Sequence, residues 1–288
     1  MIRVQEFFDK ATSTLTYTVW DPNTHDAVVI DPVLDYEPGG SLVSEESVKK
    51  VREFIVQQGL HVHFILETHA HADHLSGAQS LRAVLPQANI AIGERITSVQ
   101  KTFRDIFDLP ETFMIDGSQF DRLLAEGEVL RAGSLAIEVL FTPGHTPACA
   151  SYKIEDAVFT GDALFMPDSG VGRCDFPGGN AEALYDSVTQ KLFALPDSTR
   201  VFTGHDYQPN GRALRFESSI AEEKALNIHL KAETGKAEFV KFRTERDKTL
   251  TAPKLLLPSI QVNIDAGRLP EPHRNGRRYL SIPISTKS

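Results

Sequence analysis

The chain has 288 residues, and its hydrophobic and charged fractions, 41% and 24%, are ordinary for a globular protein with a sizeable core. The formal net charge of −9 argues against nucleic acid or an anionic membrane as the main partner, and no apolar run approaches the roughly 20 residues that span a bilayer. The two cysteines, Cys149 and Cys174, exclude a disulfide framework, and the first residues lack a secretory signal pattern, so we expect a cytoplasmic protein.

Short β-rich runs and helical patterns alternate along the chain. Strands are predicted for 13–20, 26–31, 62–67, 89–92, 135–141, 150–154, 157–161 and 200–204, and the turn sequence DPNTH joins the first two as a hairpin. Helices are predicted for 44–59, 180–196 and 211–235, the last closed by Gly235. Antiparallel hairpins together with strand–helix units favour an α/β fold in which two sheets are flanked by helices.

The end of the chain differs in composition from the rest. We assign 1–210 to a main domain and 211–288 to an extension, in which a helix is followed by an extended tail packed on the same domain. The charges of that helix, Arg212 among them, are interpreted as a solvated face. From about residue 252 the tail combines proline and glycine with Leu, Ile and Val, which favours packing over disorder and is compatible with a homodimer.

Histidines and aspartates concentrate where predicted strands end. The residues concerned are His69, His71, Asp73 and His74 after one strand, and His145, Asp162 and His205 after three others. Loops at the carboxyl ends of strands converge on one rim, and so many imidazoles and carboxylates would be costly to pack without compensation. The pattern predicts a site for one metal ion, or for two about 3.5–4 Å apart. The other histidines are assigned no role; they are His25, His61, His63, His229 and His273.

Four motifs together resemble the metallo-β-lactamase fold superfamily. They read THAHADH, TPGHT, FTGDALF and FTGHDY, occur in this order and span residues 68–207. The resemblance implies an αββα four-layer sandwich with the metal site on its rim, here with a C-terminal helical and extended extension. It leaves the reaction open, because this superfamily carries many chemistries.

The segment GRCDF at 172–176 is similar to the GRTDF of persulfide dioxygenases, with Cys174 in place of threonine, and HDY at 205–207 is typical of the same branch. The resemblance therefore favours an iron-dependent enzyme that oxidises glutathione persulfide with O2 to sulfite and glutathione. The alternative is a glyoxalase II-like hydroxyacylglutathione thioester hydrolase with a dinuclear zinc site. The chain continues for 81 residues after HDY, over 208–288, and glyoxalase II also carries an added C-terminal helical region, which keeps this alternative open.

The resemblance also implies roles for individual residues. The iron ligands of the dioxygenases match His69, His145 and Asp162, two histidines and one carboxylate that leave open positions on Fe(II) for substrate and oxygen. The remaining donors would orient these ligands in the dioxygenase, or hold a second zinc ion in the hydrolase; they are His71, Asp73, His74 and His205. The residues that line the glutathione site match Arg173 and Tyr207.

Three further residues lie near these motifs. Cys174 is interpreted as a small residue that fits its place, Cys149 as part of the core, and Asp31 as a brace of the metal rim through hydrogen bonds. The complete set of donors argues against a non-enzymatic scaffold, and the acidic charge and modest length argue against a nuclease.

Overall fold

Two six-stranded sheets lie at the centre of the computed structural model, which describes residues 1–284. The strands are β1 Arg3–Asp9, β2 Thr14–Trp20, β3 Asp26–Ile30, β4 Val33–Glu37, β5 Leu42–Ser44, β6 His61–Glu67, β7 Leu75–Ser76, β8 Asn89–Gly93, β9 Arg122–Leu124, β10 Val129–Ala132, β11 Leu135–Phe141, β12 Ala150–Ile154, β13 Ala157–Phe159, β14 Arg200–Phe202 and β15 Glu217–Ser219. The first sheet has the order β1-β2-β3-β6-β8-β9 and the second β10-β11-β12-β13-β14-β15, while β5-β4-β7 form a small third sheet.

Helices cover the outer faces of both large sheets. They are α1 Glu46–Gln58, α2 Ala78–Val84, α3 Ile96–Ile106, α4 Ala181–Asp186, α5 Ile220–Leu226, α6 Lys236–Asp247 and α7 Leu256–Asn263, and a π-helical stretch, Ser187–Leu192, continues α4. The eight predicted strands are all present, and β2 and β3 pair antiparallel as the predicted hairpin.

Alternating side chains on the strands supply different apolar layers. In β3, Val28 and Ile30 face the layer between the two sheets, while Ala27 and Val29 face the layer under α1, α2, α3 and α7. A third layer lies between the second sheet and α4, α5 and α6, where Phe239 is fully buried. Three apolar layers between four structural layers make an αββα sandwich, which confirms the predicted fold.

The prediction of a single helix over 211–235 is wrong. Only α5 is helical there, β15 adds an edge strand to the second sheet, and Gly235 precedes α6 instead of closing a helix. The physical reason is a long-range ion pair: the Arg212 guanidinium bridges Asp168 and Asp206 at 2.5–2.8 Å and holds the chain in an irregular path. The interpretation of Arg212 as part of a solvated helix face is wrong for the same reason.

The tail is also more ordered than the sequence indicated. The part predicted as extended contains α7, whose Ile260 and Val262 are fully buried against the layer of helices on the first sheet. Pro258 lies in the first turn of α7, where a missing N–H costs no helical hydrogen bond. The division into 1–210 and 211–288 stays a prediction, and residues 285–288 of the predicted tail lie outside the described residues.

The packing of α6 on the second sheet leads to a prediction about the free energy of unfolding. Phe239 is buried in the third layer and lies 5.8 Å from the Tyr185 ring. Phe239→Ala should lower the free energy of unfolding by about 3–5 kcal/mol, the usual cost of removing a buried phenylalanine ring. Urea unfolding of the variant measures this change.

A matched control lies on the same helix. Phe242 is 37% exposed, so Phe242→Ala should cost well under half as much. Equal effects of the two substitutions would contradict the assignment of α6 to the core.

Candidate metal centre

The seven predicted donors lie in four loops at one rim of the sandwich. Four of them occupy the loop between β6 and β7, and the other three follow β11, β13 and β14. The first loop leads into β7, and α2 begins only at Ala78. Backbone hydrogen bonds of 2.9 Å from Ala150 to Thr68 and from Leu15 to Gly204 join the two sheets at this rim.

One donor group consists of His69, His145 and Asp162. Its ligand atoms all lie within 4.8 Å of one another, and the His145 Nε2 atom is 3.5 Å from an Asp162 carboxylate oxygen. The three side chains come from both sheets and are all buried. They form the two-histidine, one-carboxylate set that was expected to hold iron.

A second donor group consists of His71, Asp73 and His74, whose ligand atoms also lie within 4.8 Å of one another. His205 lies between the two groups, since its Nε2 atom is 3.2 Å from an Asp73 oxygen and 3.3 Å from an Asp162 oxygen. The structure thus brings all seven predicted donors together, arranged as two adjoining groups.

In three of the imidazoles, a hydrogen bond made by Nδ1 orients the ring. The Nδ1 atom of His145 donates to the Arg173 carbonyl at 2.7 Å, and that of His205 donates to the Ser13 carbonyl at 3.2 Å. The Nδ1 atom of His69 lies 3.0 Å from the Thr68 hydroxyl, which itself donates to a carboxylate. In each case the Nε2 atom is left as the free electron-pair donor, the arrangement of metal-binding histidines.

Several buried donor atoms in this cluster have no hydrogen-bond partner within residues 1–284. They are the Nε2 atoms of His69, His74 and His205, both ring nitrogens of His71, and one Asp162 oxygen. Unsatisfied buried polar atoms cost free energy, which a bound cation would offset. Burial, followed by the neighbouring imidazoles, lowers the pKa of His69 and His71, so that they are neutral and available as ligands. The nitrogen and oxygen donor set fits iron, zinc or manganese.

Asp31 holds the donor cluster in place through hydrogen bonds, as expected. Its carboxylate accepts hydrogen bonds from the Thr68 backbone N–H at 2.7 Å and the Thr68 hydroxyl at 2.8 Å, and lies 3.0 Å from His71 Nε2. Asp31 itself has a positive φ of 50° directly after β3, an uncommon backbone conformation for a residue other than glycine. A strained residue that holds two others in place is typical of a functional site.

Asn263, the last residue of α7, reaches the same loop from the C-terminal region. Its side-chain amide donates at 2.8 Å to the carbonyls of His71 and His74, and its carbonyl oxygen accepts from the Ser76 backbone N–H at 2.8 Å. No motif in the sequence marked Asn263. Asn263 is one of three polar residues in the mostly apolar stretch LLLPSIQVNI, together with Ser259 and Gln261, so the local sequence does not single it out.

A cavity of about 630 Å³ opens onto the donors. Asp73, His145 and Asp162 lie in its wall, and the Tyr207 ring stacks on His205 with centroids 5.6 Å apart. The volume suits a small organic ligand. Tyr207 is 55% exposed, so its face and hydroxyl are accessible from the cavity.

Arg173 also lines the cavity, but its guanidinium is largely occupied. Its Nε and Nη2 atoms donate to Asp175 at 2.6 Å each, and Nη1 donates to the Thr251 carbonyl at 2.7 Å. A substrate carboxylate would therefore compete with Asp175 for the guanidinium fork.

About a third of the residues in the cavity wall come from the C-terminal region, which the sequence did not indicate. The residues are His229, Arg243, Arg246, Leu250, Pro253, Lys254 and Leu255. The side chains of Arg246 and Lys254 are exposed and make no hydrogen bond or ion pair with the described residues. His229, to which no role was assigned, accepts a hydrogen bond from the Val171 N–H at 3.2 Å, and burial lowers its pKa to about 4.

The two cysteines are buried, as expected. Burial raises the pKa of Cys149 to about 12, and it also raises the pKa of Cys174. The backbone N–H of Cys174 donates to Asp247 at 2.8 Å, so its backbone carries a specific contact while its thiol stays protonated. Within residues 1–284, no helix combines the length and apolar character needed to cross a membrane.

Comparison with known proteins agrees with this geometry. Glyoxylase B2 of Dictyostelium discoideum is 47% identical over 98% of this chain and 97% of its own length. The human persulfide dioxygenase ETHE1 is 33% identical, over 80% of this chain and 76% of its own. The crystal structure of ETHE1 from Myxococcus xanthus superposes with a TM-score of 0.74 at 34% identity, covering 92% of this chain and all of the other.

The likeness to two ETHE1 proteins supports the persulfide dioxygenase branch, whereas the more similar Dictyostelium relative carries a different name. The family model for the Metallo-beta-lactamase superfamily matches residues 10–205, which include all seven donors and the loops that carry them. Sequence, fold and donor geometry therefore agree that the chain belongs to the metallo-β-lactamase superfamily.

Proposed function

We propose that the chain is an iron-dependent persulfide dioxygenase that converts glutathione persulfide, O2 and water into sulfite and glutathione. The observation that carries the proposal is the donor group of His69, His145 and Asp162, buried and within 4.8 Å, with two of its members in the wall of the cavity. Such a set holds Fe(II) on one face and leaves the other face open. The likeness to the human and Myxococcus proteins supports the same reaction.

The protein residues would hold and orient the reactants. When bound, Fe(II) would supply the activation of O2 that sulfur oxidation requires. His69 and His145 would present Nε2 to the ion, held by their Nδ1 contacts to Thr68 and to the Arg173 carbonyl. Because the cavity opens beside Asp162, a persulfide bound there would bring its outer sulfur close to the donor group, and its glutathione portion would extend toward the solvent.

The charges of the cavity suit an anionic tail. Glutathione carries two carboxylates, and the wall contains Arg173 together with Arg246 and Lys254, whose side chains form no ion pair within residues 1–284. Tyr207 adds an aromatic face and a hydroxyl. This arrangement supports a glutathione derivative as the substrate, although the chain as a whole is acidic.

The thioester hydrolase is the second candidate, and a separate observation favours it. The group of His71, Asp73 and His74, joined to the first group by His205, could hold a second ion, such as zinc. Two ions could share a hydroxide that attacks an acyl carbon. The name of the Dictyostelium relative agrees with this alternative.

Oxygen consumption separates the two candidates. Protein purified without oxygen and loaded with Fe(II) should take up O2 when glutathione persulfide is added, with one sulfite formed per O2. His69→Ala and Asp162→Ala should each abolish this uptake, because they remove members of the proposed iron set. An oxygen electrode and a sulfite assay measure both quantities.

His61→Ala is the matched control, since this exposed histidine at the start of β6 lies outside the donor groups. Its uptake should equal that of the unaltered protein. Metal-loaded protein that takes up no O2 but hydrolyses S-lactoylglutathione would replace the dioxygenase by the hydrolase.

The positive charges of Arg246 and Lys254 in the cavity wall lead to a prediction about substrate binding. An exposed ion pair contributes about 0.2–1 kcal/mol, so Arg246→Gln combined with Lys254→Gln should raise KM for glutathione persulfide by roughly two- to thirtyfold with kcat nearly unchanged. Steady-state kinetics at constant ionic strength measure the change.

Two comparisons make this test specific. Lys241→Gln, on α6 but not in the cavity wall, should leave KM unchanged. A persulfide without carboxylates should show the same KM in the double variant and the unaltered protein. An equal rise in KM for both substrates would contradict a role in carboxylate recognition.

A further inference from the structure

One peptide group connects the C-terminal helix α6 to the metal centre. The carbonyl of Arg173 accepts a hydrogen bond from His145 Nδ1 at 2.7 Å. The N–H of Cys174, which belongs to the same peptide group, donates to a carboxylate oxygen of Asp247 at 2.8 Å. A carboxylate, a peptide and an imidazole are thus linked in series, and the free Nε2 atom of that imidazole belongs to the first donor group.

We propose that Asp247 is a positioning residue for the metal ligand His145 and acts on it through the Arg173–Cys174 peptide group. Carboxylates that accept a hydrogen bond directly from a metal-bound histidine fix the ring and raise its basicity. Here a peptide group lies between the two. A carboxylate at the N–H polarises the peptide and makes its carbonyl a better acceptor, because hydrogen bonds in series strengthen one another.

The surroundings of Asp247 are built for this role. Asp247 is only 7% exposed, and its second oxygen pairs with Arg243, itself 2% exposed. Arg243 also donates to the Val171 carbonyl at 3.4 Å. Arg243 and Asp247 therefore hold the 171–174 loop at both ends. A buried carboxylate whose two oxygens are both engaged has one position, which gives the loop a fixed geometry.

The inference adds a residue that lies outside the family motifs. The family model ends at residue 205, so Asp247 belongs to the part of the chain that the model does not describe. The inference rests on metal binding at His145, which is part of the proposed function, but not on which reaction follows.

The test is a measurement of metal binding and of one proton resonance in the Zn(II)-loaded protein. Asp247→Asn keeps an acceptor for the Cys174 N–H but removes the negative charge. We expect its affinity for Zn(II), from competition with a chelator, to fall by about tenfold or more. The His145 Nδ1–H resonance should move upfield as its hydrogen bond weakens, while the His69 Nδ1–H resonance stays in place as an internal reference.

A second variant guards against loss of folding. Asp247→Asn leaves Arg243 buried without its partner, which is destabilising by itself. Arg243→Leu combined with Asp247→Asn removes both charges and should show the same shift of the His145 resonance in a folded protein. Glu223→Gln, a buried carboxylate of α5 that contacts Ser218 and Asn227, is the matched control and should change neither quantity.

Each outcome decides the inference. A selective shift at His145 with weaker Zn(II) binding supports it. Unchanged binding with an unmoved His145 resonance overturns it, and so does an equal shift of the His69 and His145 resonances, which indicates general loosening. If the unaltered protein binds no metal, the proposed function fails together with the role of Asp247; if it binds metal but oxidises no persulfide, only the proposed reaction fails.

Discussion

The structure depends on the close packing of seven imidazole and carboxylate side chains at one rim of the sandwich. Imidazoles and carboxylates are among the most costly groups to bury, and here several of the buried nitrogens have no hydrogen-bond partner within residues 1–284. The surrounding loops must therefore hold these side chains firmly in place. Asp31 and Thr68 hold the first loop, the Arg173 carbonyl holds His145, and the two sheets are joined at the same rim.

Backbone conformation and close packing limit which residues can occupy the positions next to the donors. Gly144, next to His145, has a φ of 148°, and a Cβ atom there would lie 2.3 Å from that of Leu184. Gly161, next to Asp162, has a φ of 49°, and its Cβ would lie 2.6 Å from the Thr68 hydroxyl oxygen. Both positions combine left-handed or otherwise unusual backbone with close packing, so glycine alone fits there. The loop of Asp162 thus approaches the loop of His69, and the loop of His145 approaches α4, more closely than side chains would allow.

The sequence was sufficient to predict the sandwich and the donor set, because each donor follows an apolar strand and the carboxyl ends of neighbouring strands meet. It was insufficient for the C-terminal region. The chain is not helical at Arg212 because this side chain pairs with Asp168, 44 positions away. No local sequence pattern encodes such a contact. Helix α7 was missed because Pro253 and Pro258 flank its start. Arg246 and Lys254 were missed because only the fold brings them to the cavity. The compartment and the homodimer stay predictions.

The three hydrogen bonds of Asn263 have a consequence for the order of events during biosynthesis. The loop that carries His71 and His74 precedes Asn263 by about 190 positions, so it leaves the ribosome long before its brace. During that interval the carbonyls of the loop must bond to water or to other partners. The complete set of contacts of this loop therefore forms only after Asn263 has been synthesised and α7 has docked on β7. A chain cut before residue 263 retains all seven predicted donors but lacks the hydrogen bonds that hold the loop of His71 and His74.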